Sequence, residues 1–401
     1  MEKIITGIRT VREIKKRALS GCPPCSGGRS AFCKKISFDD IVFMPAQLKA
    51  RPVDYFREEI STKTVIGKGS KHPIKLETPI IIGGMSFGAV NKKVKMALAK
   101  ASTMAGTATN TGEGGMLPEE RSKARVLIAQ YSTGRFGVNE KYLKSADAVE
   151  IKIGQGAKPG QGGLLPANKV TPAIAKLRKL PIGKPIHSPP AHPDIKGAAD
   201  LKRKVAWLKK MTGGKPVIVK LAGGNIEADV PIAVRSGADS IAIDGMEGGT
   251  GAAPDVMLDH FGTPTLAALA RARKVMDRMW SKQELLIGGG INTGADVAKA
   301  LALGADAVFM GMPMLMAIGC IYCKQCNRGM CPVGITTQEP SLIKKLDPKA
   351  AEHAANFIKA CTEEIKMAAA ATGKDNVHKL SRNDLRSLNP IITQITGVKM
   401  V

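Results

Sequence analysis

Seven of the eight cysteines in this 401-residue chain fall into two short runs: Cys22, Cys25 and Cys33 near the start, then Cys320, Cys323, Cys326 and Cys331, with Cys361 apart. The start, Met1-Glu2-Lys3-Ile4-Ile5-Thr6-Gly7-Ile8-Arg9, carries no export signal, so such grouping argues for metal or cluster ligation in a reducing compartment rather than for disulfides. The late run has Cys-x2-Cys-x2-Cys-x4-Cys spacing and ends on Pro332. Thiolates so spaced suit an iron–sulfur cluster, and a trailing proline recurs in ferredoxin-type runs; a zinc knot is the alternative. The early run lacks a fourth local ligand, which leaves free thiols and a second metal site both open.

Two glycine-rich turns precede the late run, Ile287-Gly288-Gly289-Gly290-Ile291-Asn292 and Met310-Gly311-Met312-Pro313. Bare backbone there lets amides approach phosphate oxygens, and a helix starting near Thr293 would add its positive N-terminal end. Either turn alone could be purely structural. Together they favour a phosphate site, and cysteines abutting the phosphate turn of a flavin would lie within electron-transfer reach of its ring, which favours iron over zinc. Lys220 closes the apolar run Val217-Ile218-Val219-Lys220-Leu221. Its ammonium would stabilise the anionic edge of a reduced flavin, since unit charges at 4 Å interact by about 4 kcal/mol at an effective dielectric near 20. The bland alternative is a lysine that snorkels to solvent.

Eight β-rich runs position these residues: Pro79 to Gly88, Gly106 to Gly115, Val126 to Tyr131, Ala148 to Gly156, Pro216 to Ala222, Ser240 to Gly245, Glu284 to Ile291 and Ala307 to Pro313. Helical stretches follow the strands, as at Lys92 to Ser102, Ala198 to Met211, Thr265 to Met279 and Ala295 to Leu303. That alternation predicts an α/β fold, a (β/α)8 TIM barrel, with its site on the loops after the strands. The expected organisation is an N-terminal extension over 1–75, a barrel over 76–340 and a C-terminal helical segment over 341–401.

The 60 Lys and Arg against 34 Asp and Glu leave a net charge of +26, a field that attracts acidic partner proteins. With 4% aromatic residues a base-stacking nucleic-acid platform is disfavoured. No run of eighteen residues is free of charge, so a cytoplasmic protein without membrane spans is expected.

Five blocks resemble the FMN-binding synthase domain of glutamate synthase, in particular its stand-alone archaeal form: Gly84-Met85-Ser86-Phe87-Gly88, Asn110-Thr111-Gly112-Glu113-Gly114-Gly115, Gly134-Arg135-Phe136-Gly137-Val138, Gln155-Gly156-Ala157-Lys158-Pro159-Gly160 and Gly248-Gly249-Thr250-Gly251-Ala252. The cysteine run through Cys331-Pro332-Val333-Gly334-Ile335-Thr336-Thr337-Gln338 completes the likeness. The resemblance implies FMN held by Ser86, Gln130, Lys220 and the glycine turns that include Gly249, Gly289, Gly290 and Gly311. It also implies a three-iron cluster on Cys320, Cys326 and Cys331, with Cys323 as an extra thiol that would allow four irons. The implied reaction reduces the imine of 2-oxoglutarate and ammonia to glutamate. Gln155, Lys158 and Arg178 would bind substrate, and Glu113 and Lys158 would act in catalysis; a solvated Arg178 is the alternative at that position.

The family loop Gly-Glu-Gly-Gly-Gln-Leu-Pro is replaced by Gly160-Gln161-Gly162-Gly163-Leu164-Leu165-Pro166, which loses a substrate-facing amide at Leu164. Ser188-Pro189-Pro190-Ala191-His192-Pro193-Asp194-Ile195 keeps only part of the family's Ser-Pro-Pro-Pro-His-His-Asp-Ile. Alternatives are therefore an N-methylglutamate synthase-type subunit and a flavin/iron–sulfur electron-transfer subunit. Met1-Glu2 offers no N-terminal Cys nucleophile, so ammonia is expected from solution or from a glutaminase-type subunit. Electrons are expected from a ferredoxin-like or pyridine-nucleotide-oxidising protein, and the chain is expected to be an oligomer.

Overall fold

Each of the eight β-rich runs contains one strand: β1 (Ile80–Ile82), β2 (Ala108–Asn110), β3 (Val126–Tyr131), β4 (Ala148–Lys152), β5 (Val217–Ala222), β6 (Ser240–Asp244), β7 (Glu284–Gly288) and β8 (Ala307–Met310). In this computed structural model, which describes residues 11, 14–28, 31, 36–251 and 253–401, they pair in parallel and in chain order, and β8 closes on β1. Parallel neighbours require crossovers. Helices α1 (Lys92–Met104), α2 (Pro118–Lys123), α3 (Glu140–Ser145), α4 (Ala198–Met211), α5 (Ile226–Arg235), α6 (Thr265–Arg278) and α7 (Gly294–Ala302) supply them. The 22-residue α8 (Ala350–Ala371) packs on α1 and α7 and completes the ring of a (β/α)8 barrel.

Successive strand residues face opposite sides, so every second one enters the barrel. Ile81, Ala108, Ile128, Ala148, Ile218, Ala242, Leu286, Ala307 and Phe309 form one buried inner cluster, small and large side chains sharing the space. The antiparallel hairpin Thr64–Ile66 and Ile74–Leu76 adds Ile66, Ile74 and Leu76 to it. The hairpin loop donates the Gly67 and Lys68 amides to Glu284 at the start of β7, at 2.9 and 3.1 Å, so it plugs the end where the strands begin. Each buried Ile or Leu contributes about 1.5–3 kcal/mol. Two residues further on, the same alternation carries Asn110, Gln130, Glu150, Lys220, Asp244 and Gly288 to the opposite, open end.

The extension and the tail meet: Ile41–Phe43 pairs antiparallel with Leu385–Ser387. Among the described residues no helix is long and apolar enough to cross a membrane.

Candidate active site at the open end of the barrel

Above the apolar layer lies a cleft lined by Ser86, Glu113, Gln130, Gln155, Lys158, Arg178, Lys220, Gly249, Gly289, Gly290 and Gly311. The residues expected to bind flavin and substrate thus line one space, and Cys326 joins them. Gly289 turns with φ +112°, and a Cβ there would stand 2.7 Å from Thr265 Oγ1, so backbone alone fits. A Cβ on Gly311 would meet no atom within 4 Å, so the room its missing side chain leaves belongs to the cleft.

One expectation is corrected here. The N-terminal end of α7 does not await an anion. Asp296 accepts the Asn292 and Thr293 amides at 2.9 and 3.1 Å, and Glu364 accepts the Gly294 amide at 2.7 Å. Carboxylates already satisfy those orphan donors and the helix dipole. Phosphate recognition is left to the glycine turns.

The floor of the cleft is a buried polar layer. Gln130 Nε2 donates to Glu150 Oε1 at 2.7 Å, so with this amide orientation its carbonyl oxygen is left for the cleft. Lys220 Nζ pairs with Asp244 Oδ2 at 2.9 Å and lies 5.7 Å from the Phe309 ring centroid. Burial opposes the Lys220 charge, but Asp244 and Glu150 outweigh it and raise its pKa above 10.5. The ammonium is therefore fixed in the barrel mouth rather than snorkelling.

Glu113 stands on the wall. Ser188 Oγ donates to its Oε1, and Lys152 Nζ lies 3.5 Å from its Oε2. Burial pushes the carboxyl up, yet Lys152, Ser188, Arg178 and Ser132 together bring it below 4.5, so it is ionised at neutral pH. Its loop is anchored by the buried Lys95, whose Nζ donates to Met85 O and Thr111 O at 2.7 and 2.8 Å and pairs with Glu120 at 2.7 Å. One cation so joins the loops that carry Ser86 and Glu113.

Lys152 is held in turn by His192. Arg135 donates to His192 Nδ1, which leaves Nε2–H to donate to Lys152 O at 2.8 Å. Burial and then Arg135 hold that imidazole near pKa 4, so it stays neutral.

Arg178, at 6% exposure, is not solvated: Nη2 donates to Phe87 O at 2.8 Å and Glu113 O at 3.3 Å. Its Nε is buried against Gly114 with no partner among the described residues, while the side chain as a whole lines the cleft. Lys158 is buried too, and burial, with Lys152 adding repulsion, pulls its pKa down to about 8 despite Glu113 and Cys25.

Cys320, Cys323, Cys326 and Cys331 surround a small cavity beside the cleft. Among the described residues no three His, Cys, Asp or Glu side chains are grouped so as to hold a metal ion. The donors differ in character, since burial holds the Cys320 and Cys326 thiols above 9.0. Burial would raise Cys331, but hydrogen bonds from Thr336, Ile335 and Val333 hold it below 9.0. Cys33 lies outside the described residues, whereas Cys25–Ser26 pairs with Ala253–Pro254 and Gly28 reaches the cleft.

Lys152, Lys169 and Asp244 also line the cleft without having been singled out in the sequence, and Ser188, which opens the partly kept Ser188–Ile195 stretch, lines it too. Lys152 ends β4 and Lys220 lies two residues before the end of β5, both at inward positions, so a similar signal is present in the sequence. Ser188 depends on the pairing of Ile186–His187 with Leu164–Leu165, which no local pattern announces.

A family model described as the conserved region in glutamate synthase matches residues 39–375. The chain is 42% identical to a glutamate synthase large subunit-like protein of Rhizobium meliloti, covering 94% of this chain and 90% of that protein. It is 40% identical to an archaeal glutamate synthase [NADPH] of Methanocaldococcus jannaschii, over 96% and 83% of the two chains. The fold is shared with a lactate oxidase of Pediococcus acidilactici at TM-score 0.60 and 17% identity, covering 90% and 89%. With the barrel, the cleft and these matches in agreement, the chain belongs to the glutamate synthase family of oxidoreductases.

Proposed function

We propose that this chain uses FMN and an iron–sulfur cluster to reduce the imine of 2-oxoglutarate and ammonia to glutamate, with electrons from a partner protein. The observation that carries this is a shared wall: Gly28, Met312, Leu315, Cys326 and Thr336 line both the cleft and the cysteine cavity. Glycine turns on one side and thiols on the other fit a phosphate-bearing flavin beside a cluster. When bound, the flavin supplies a hydride and the cluster single electrons. Ser86, Gln130, Lys220, Gly249, Gly289, Gly290 and Gly311 would hold FMN. Cys320, Cys326 and Cys331 would hold three irons, and Cys323 would complete a set for four.

In this reading Arg178 and Lys158 bind the substrate anion, Gln155 orients it, and Glu113 carries a proton to or from the nitrogen. Lys158 is cationic only below about pH 8, so kcat/KM for the oxo acid is expected to fall about tenfold per pH unit above that value. K158M should remove the fall along with most of the activity; a flat profile in the unaltered chain would take Lys158 out of the role. A ferredoxin-like or pyridine-nucleotide-oxidising donor and a glutaminase-type subunit suit the +26 charge if their docking faces are acidic.

Anaerobic assay with chemically reduced viologen, 2-oxoglutarate and ammonium tests the reaction, with glutamate as the expected product. Turnover of glutamate with methylamine instead would move the chain to the N-methylglutamate branch. Turnover of neither, with flavin and iron present, would make it an electron-transfer subunit. Leu164 favours considering these alternatives, because it lines the cleft at 38% exposure with no polar group to offer. L164Q adds one hydrogen bond and is expected to raise kcat/KM for 2-oxoglutarate about tenfold. No gain would mean that Leu164 suits the natural substrate as it is.

A further inference from the structure

Lys169 is buried to 3% exposure in a short turn, Ala167–Lys169, that no catalytic role above requires. The turn is fastened to the cysteine loop: Asn168 Nδ2 donates to Arg328 O at 2.9 Å. It is also pressed against that loop, since a Cβ on Gly329 would stand 3.4 Å from Lys169 Cγ and 3.5 Å from its Cε. Lys169 lines the same cleft as Cys326 and Thr336. Among the described residues no carboxylate forms an ion pair with it, unlike Lys95, Lys152 and Lys220.

A buried cation without a carboxylate needs another anion. We propose that Lys169 is a positioning residue for the cysteine-bound cluster, its fixed positive charge favouring the reduced, more negative state and so setting the level at which electrons wait beside the flavin. This rests on the cluster reading above. Reduction adds one negative charge to the cluster, and a cation nearby in a low-dielectric site stabilises that charge. Removing the cation therefore lowers the reduction potential.

The test uses the full chain, reconstituted anaerobically with iron, sulfide and FMN, as wild type, K169M and K169R. K169M keeps most of the buried stem and loses the charge. Iron and sulfide per chain are counted, and the cluster is titrated by electron paramagnetic resonance. At the wild-type midpoint the reduced-to-oxidised ratio in K169M is expected to fall about tenfold, which is about 59 mV for a one-electron couple. K169R should stay near the wild-type midpoint. K169M with full iron and sulfide at the wild-type potential overturns the proposal. Should K169M fold and keep FMN but lose iron, retention of iron by K169R upholds the need for charge, and its loss from K169R as well overturns it. A wild-type chain that takes up no iron or sulfide removes the cluster itself, an outcome visible before any variant is compared.

Discussion

Glu113→Gln is expected to lower kcat by about two to four orders of magnitude, the usual worth of a positioned acid or base, while FMN and iron contents stay at wild-type levels. The amide is isosteric and still accepts from Ser188, so the wall keeps its shape. What disappears is the negative charge opposite Lys152 and the capacity to hold a proton. Because the folded pKa lies below 4.5, the carboxylate is ionised throughout the neutral range, and any acid limb due to Glu113 should appear only below pH 4.5. Its contribution to stability has the same sign: present above the unfolded value and lost as pH falls through the folded one. Steady-state kinetics of the variant with flavin absorbance as a control decide the matter. A kcat within threefold of wild type would leave Glu113 a structural anchor for Lys152 and Ser188.

Lys220→Met should do comparable damage by another route. It leaves Asp244 and Glu150 without their cation in the barrel floor, and stranding one member of a buried pair costs about 3–5 kcal/mol. A loss of 3 kcal/mol on the flavin side alone is roughly a 150-fold weaker affinity. The purified variant is therefore expected to be both flavin-poor and less stable to urea. The double variant K220M/D244N separates the two effects: removing the stranded carboxylate should recover much of the stability but none of the flavin affinity. Recovery of both would show that Lys220 serves only to neutralise Asp244. Because the Lys220 pKa is raised above 10.5, the stability it contributes is complete below that pH and is lost as pH climbs through the raised value.

The sequence disclosed much of the site because barrel chemistry is repetitive. A strand's period of two is local, so the alternation along β4 and β5 already says that Lys152 and Lys220 enter the mouth once a barrel is assumed. Glycine turns are legible for a similar reason, since only glycine leaves backbone bare and tolerates the φ of Gly289. The same local logic failed at α7. Its start looked like an anion site, but Asp296 three residues on and Glu364 seventy residues away had already taken its amides.

By itself, then, the order of residues determined the eight strands, the inward alternation along them and the two turns of bare backbone, all consequences of steric rules that act over a few residues. Closure of the barrel decided the rest. It set Ser188 on Glu113, brought His192 to the backbone of Lys152, and seated Lys169 under a cysteine loop more than 150 positions later. Such meetings depend on where separate loops come to rest around a common axis, and no short-range preference of the chain encodes that distance.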